Sequence, residues 1–123
     1  MDPNLIVKTA AVLLTLGLFG GLSMAVARFR GKPRPPTWLA MLHGLAGAAA
    51  LTLLLYASAT MGLATLVNMA LALFLAAAIA GLIMNLNYHS KLRPLPIWLV
   101  IVHAAIAGSG YLLLIASVFS THL

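Results

Sequence analysis

Read for polarity alone, the chain alternates four long apolar runs with short polar breaks. The first run extends from Leu5 to about Ala27 and ends in RFRGKPRPP, residues 28–36. The second covers Thr37–Ser58, followed by the uncharged turn Ala59–Gly62. The third runs from about Leu63 to Asn87 and ends in YHSKLRPLP, residues 88–96. The fourth covers Ile97 to about Val118, leaving the tail FSTHL. Each run has roughly the 20 residues that cross a ~30 Å hydrocarbon core at ~1.5 Å rise per residue. The pattern predicts an all-α protein, a four-transmembrane-helix bundle of up-down-up-down topology. Pro36 and Pro96 suit the first turn of a helix, where a missing N–H costs nothing.

The same pattern occurs twice. PTWLAMLHGLAG from Pro36 matches PIWLVIVHAAIAG from Pro96 at an offset of 60, without a gap. Pro36, Trp38, Leu39 and His43 fall on Pro96, Trp98, Leu99 and His103, and Gly21, Leu22 and Met24 fall on Gly81, Leu82 and Met84. The expectation is one membrane domain, residues 1–123, built from two tandem helical-hairpin repeats, 1–60 and 61–123. Two spans per repeat insert both copies in the same orientation, with the repeat axis along the membrane normal. Spans 2 and 4 then run parallel and sit diagonally.

Composition narrows the chemistry. The 123 residues are 63% hydrophobic and 7% charged, which places the chain in the membrane class. Asp2 is the one acidic residue and there is no cysteine. Carboxylate catalysis, carboxylate metal sites and thiolate sites are excluded. The net charge of +6 is not a nucleic-acid signal, because six of the seven basic residues sit in the two hairpins 28–36 and 88–96. The positive-inside rule puts both hairpins in the cytoplasm and both termini on the other side. A cleaved signal peptide is not expected, since the start carries Asp2 in place of a basic cluster.

His43 and His103 each lie about two turns inside a span, at one depth. An ionisable residue inside a bilayer is a functional-site hypothesis by default. Small residues surround the pair: Gly44, Gly47 and Ala50 on span 2, Ala104, Ala107, Gly108 and Gly110 on span 4, and Gly17, Gly20, Gly21, Ala77, Ala80 and Gly81 on spans 1 and 3. Two readings compete. In one, the small residues let backbones pack closely and the histidines hydrogen-bond across helices. In the other, they leave space for a flat apolar cofactor held by two neutral imidazoles, of which haem b fits best. Arg30, Arg34 and Arg93, with Trp38 and Trp98, lie on the side nearer the histidines, where propionates need cations and donors.

Of the other polar residues, His89, opposite Phe29 in the repeat, reads as interfacial, with proton delivery or quinone binding as the outside role. His122 reads as exposed. Met24 and Met84 read as core filler. Asn85 and Asn87 read as cross-helix hydrogen-bonders or as a break in the repeat.

A compact four-helix membrane bundle with His43 and His103 contributed by different helices resembles the small b-type cytochromes, such as the cytochrome b561 class. That resemblance implies haem binding and single-electron transfer, with quinone or a redox partner protein on the other side. Members usually carry two haems on four histidines, and this chain has one buried pair, enough for one haem. The chain also resembles small four-span proteins of proteobacteria, which implies a bacterial inner membrane. The alternative is a non-catalytic integral subunit or assembly factor, alone as a homo-oligomer or in a larger complex. A transporter reading lacks an intramembrane carboxylate for coupling. The sequence does not decide whether the protein is catalytic.

Overall fold

The computed structural model describes residues 2–120. The chain forms α1 (Pro3–Phe29), α2 (Thr37–Thr60), α3 (Thr65–Met84) and α4 (Ile97–Ser120), and α3 continues into one π turn, Asn85–His89. The four helices are long and apolar enough to cross a membrane. His122 lies outside the described residues. Helix limits exceed the expected ones by about two residues at several ends. α1 starts earlier because Asp2 caps it, accepting the Asn4 N–H at 3.0 Å, with Pro3 in the first turn. α2 and α4 run on to Thr60 and Ser120, where no breaker stands before those positions.

α1 packs along α2 and α3 along α4, while α1–α4 and α2–α3 meet over shorter stretches. Among the described residues there is no close backbone contact across either diagonal, so α2 and α4 stand opposite each other, as the repeat predicts. Closure is uneven along the bundle. The packed core, including Ala10, Ala50, Leu54, Ala70 and Leu114, belongs to the half nearer the 61–64 turn. Towards the basic loops, α1 buries nothing beyond Gly17 and α2 nothing before Ala50. Large apolar side chains such as Phe19, Leu45 and Leu112 point outward, as lipid-facing positions do.

Lipid tails are as apolar as leucine, so association of these helices depends on close fit rather than on water exclusion. Gly110 shows where the fit is tightest. A Cβ there would meet Phe74 Cε1 at 3.1 Å and the Ala70 carbonyl and Leu73 Cβ at 3.3 Å. Gly110→Leu should therefore force α4 off α3 and destabilise the fold by about 1–3 kcal/mol, read as a lower midpoint of SDS-induced unfolding. An unchanged midpoint would show that the contact is not tight.

Polar side chains in the spans satisfy themselves. Thr9, Thr52 and Ser109 each donate to the carbonyl four residues back. Between helices, the Thr15 and Tyr111 hydroxyls join α1 to α4 at 2.7 Å. Their positions 60 residues away are Leu75 and Leu51, so α2 and α3 are joined elsewhere, by the Ser58 hydroxyl donating to Asn68 Oδ1 at 2.9 Å.

Candidate functional site

The two histidines converge from diagonal helices. Their ring centroids lie 6.1 Å apart, with the ring planes at 71°. Each ring is also anchored within its own hairpin. His43 Nδ1–H donates to the Gly17 carbonyl on α1 at 2.7 Å, and His103 Nδ1–H donates to the Ala77 carbonyl on α3 at 2.7 Å. A carbonyl can only accept, so the hydrogen must sit on Nδ1. In a neutral imidazole, Nε2 then carries the lone pair. Both bonds span 26 residues and fall at the offset of the sequence match.

This arrangement has the form of a metal ligand with its supporting bond. Metal-bound imidazoles almost always donate their other N–H to a carbonyl or carboxylate, which fixes tautomer and ring orientation and raises basicity. At the ~2 Å usual for metal–imidazole bonds, rings whose centres lie 6.1 Å apart are close enough for one ion to reach both. Among the described residues there is no group of three or more histidine, cysteine, aspartate or glutamate side chains. The donor set is therefore two imidazoles, which suits a metal whose other ligands arrive with it.

The surrounding small residues divide into two kinds. Gly21 is a close-approach position, where a Cβ would stand 2.9 Å from His43 Cε1. Gly81 is looser, with His103 Cε1 at 3.4 Å. These two glycines seat the imidazoles on α1 and α3 rather than lining an open layer. Gly47 and Gly108 are half-buried, yet a Cβ at either meets nothing within 4 Å, and the same holds for exposed Gly44. Close helix packing therefore does not require glycine at these three positions. Ala107 is half-buried on the same part of α4.

The cationic residues lie at the basic-loop end. Arg30 is exposed at the end of α1, Arg93 is exposed, and Arg34 is half-buried. Trp38 and Trp98 are each 64% exposed, as interfacial indoles are. Arg28 is already engaged, its Nε–H donating to the Leu95 carbonyl at 2.7 Å.

The second loop corrects the sequence alignment. α1 ends with Gly31 at φ 100°, its N–H on the Arg28 carbonyl and the Lys32 N–H on the Ala27 carbonyl. The other hairpin ends the same way around Leu92 at φ 57°, its N–H on the His89 carbonyl and the Arg93 N–H on the Tyr88 carbonyl. These are two Schellman closures, 61 residues apart rather than 60. The π turn at Asn85–His89 adds one residue to the helix, and the loop before Pro96 is one residue shorter than the loop before Pro36. His89 therefore corresponds to Arg28, not to Phe29. The bonds agree: Arg28 donates to the Leu95 carbonyl, and His89 Nε2–H donates to the Pro35 carbonyl at 3.0 Å. Asn85 and Asn87 are exposed in the π turn and make no cross-helix bond. Met24 and Met84 are half-buried.

Leu92 adopts a left-handed conformation that costs a non-glycine residue about 1 kcal/mol. Leu92→Gly should raise thermal stability by about that amount, measured as a higher midpoint with an unchanged circular dichroism spectrum.

Sequence reasoning did not single out the Thr15–Tyr111 bond. The available signal was a pair of polar residues in mid-span, each opposite leucine in the other hairpin. No family model, curated protein or solved structure matches the chain.

Proposed function

We propose that the protein is a membrane b-type cytochrome that holds one haem b between His43 and His103. The observation that carries this reading is the pair of Nδ1–H to carbonyl bonds, which leave both Nε2 lone pairs available on rings 6.1 Å apart. When bound, the haem supplies one-electron redox chemistry. The chain's own part is ligation and orientation. Gly17 and Ala77 hold the rings through their carbonyls, and Gly21 and Gly81 give the rings room against α1 and α3. In this reading Gly44, Gly47, Gly108 and Ala107 would make room for the macrocycle, since a Cβ at any of the three glycines meets nothing within 4 Å, and lipid-facing side chains keep water from the helices. Arg30, Arg34 and Arg93, with the indoles of Trp38 and Trp98, face the end where the propionates belong. In this reading the basic loops lie in the cytoplasm, and the electron partner is a quinone or a redox protein.

A second reading has its own support. The two histidine bonds also tie α1 to α2 and α3 to α4, which a structural subunit or assembly factor would need as much as a cytochrome. Absorbance separates the two. Protein purified from haem-replete cells should show sharp bands on reduction. A colourless, folded protein leaves the structural reading standing.

A further inference from the structure

Six of the seven basic residues gather at one end of the bundle, and that end carries no aspartate or glutamate. Asp2 is at the far end, where it caps α1 through the Asn4 N–H. The cations at the loops therefore have no counter-charge from an acidic side chain. Their arrangement is not a uniform coat. Lys32, Arg34, Pro35, Pro36, Thr37, His89 and Leu92 enclose an open cleft of about 340 Å³. It lies where α2 begins, next to the exposed Trp38.

The two loops differ at the positions that line this cleft. Where the first loop has Arg34 and Thr37, the second has Pro94 and Ile97. Arg28, which corresponds to His89, is used in the bond to the Leu95 carbonyl, and Leu95 itself is buried. So the cleft face presents Lys32, Arg34, the Thr37 hydroxyl and the His89 imidazole, while the other face has Arg93 in place of Lys32, an Arg28 already bonded, and no hydroxyl. His89 also sets the shape of the polar face. Its bond to the Pro35 carbonyl fixes the backbone between Arg34 and Thr37, which makes His89 a positioning residue.

We propose that this cleft binds the phosphate group of an anionic phospholipid. The chemistry is that of a phosphate ester: two formal cations and a hydroxyl donor around an open pocket, with no competing carboxylate side chain. A neutral quinone would leave both cations unpaired. The location suits a headgroup, because Trp38 marks the interfacial layer and Pro36 starts a span just below it. The proposal does not depend on haem, and it gives Arg34 to the headgroup, leaving Arg30 and Arg93 for the propionate end.

The test uses the full chain in phosphatidylcholine vesicles, with spin-labelled phosphatidylglycerol and spin-labelled phosphatidylcholine as probes. Electron paramagnetic resonance gives the immobilised fraction of each and hence their relative association. The double variant Lys32→Gln/Arg34→Gln should lower the preference for phosphatidylglycerol roughly thirtyfold, at about 1 kcal/mol per cation. Lys91→Gln/Arg93→Gln removes the same charge outside the cleft and should leave the preference within about twofold. Both variants keep the Arg28 and His89 loop bonds. Equal losses in the two variants would mean a diffuse basic surface and overturn the proposal, as would a wild-type protein with no preference. Millimolar inorganic phosphate separates the sources: if it abolishes a Lys32/Arg34-dependent preference, the occupant is a soluble phosphate; if it does not, it is the lipid headgroup.

Discussion

Alanine at His43 or at His103 should each abolish the low-spin spectrum of the reduced protein, and the double variant should lose the pigment altogether. The reason is that the two histidines would hold the haem as one unit. Under the cytochrome reading His43 and His103 would each supply one nitrogen to the haem, so loss of either would remove half of the protein's ligation. The cost to the fold should be small by comparison. Interhelical polar bonds in membranes average about 0.6 kcal/mol and reach about 1.7. The Gly17 and Ala77 carbonyls also keep their helical partners, so no acceptor is orphaned. His89→Ala is the matched control: its ring is bonded to the Pro35 carbonyl in the loop region, and its loss should leave the spectrum unchanged. Folded wild-type protein that never takes up haem, or variants that keep the full spectrum, would end the cytochrome reading.

Gly21→Ala should damage the site far more than Gly81→Ala, although the two positions match in sequence. The difference lies in 0.5 Å of clearance, from 2.9 Å to His43 Cε1 against 3.4 Å to His103 Cε1. A methyl group at Gly21 has no room, because the ring it meets is pinned by its own bond to the Gly17 carbonyl. The ring must leave that carbonyl or α1 must move, at about 1–3 kcal/mol for overpacking. At Gly81 the contact needs only a slight adjustment, and alanine gains up to about 1 kcal/mol in helix propensity. The measurement is the unfolding midpoint together with haem retention for each variant. Gly21→Ala should lower both, and Gly81→Ala should change neither by much. Equal effects would show that the two imidazoles are not held as the geometry indicates.

Much of this was legible in the residues. Apolar run length set four helices, and the prolines at 36 and 96 marked two helix starts, because both signals are local. The histidine pair was legible as a pair, because equal depth follows from equal spacing after each proline. The sequence raised a cross-helix hydrogen bond for the histidines, but did not carry which ring nitrogen makes it or which carbonyl accepts it. That depends on a rotamer and on how closely α1 approaches α2, neither of which spacing encodes. The two kinds of glycine were also hidden. Gly21 and Gly47 look alike in sequence, yet one faces a ring and the other faces open space. The loop comparison failed for a different reason. An added residue in the π turn is cancelled by a missing one before Pro96, so an ungapped match conceals both. Leu92 in a left-handed conformation, where glycine would be favoured, was likewise invisible to that match.

The carbonyl bond on each imidazole closes a contact of 26 residues, entirely inside one pair of adjacent helices. Contacts of short range form first, since less chain must be ordered to reach them. Each half of the molecule can thus orient its own imidazole before the halves meet, and docking brings together two prepared components instead of searching for ring orientation and helix arrangement at once. In a bilayer, where a pair of spans is an independent insertion unit, the first half can be ready while the second is still being synthesised.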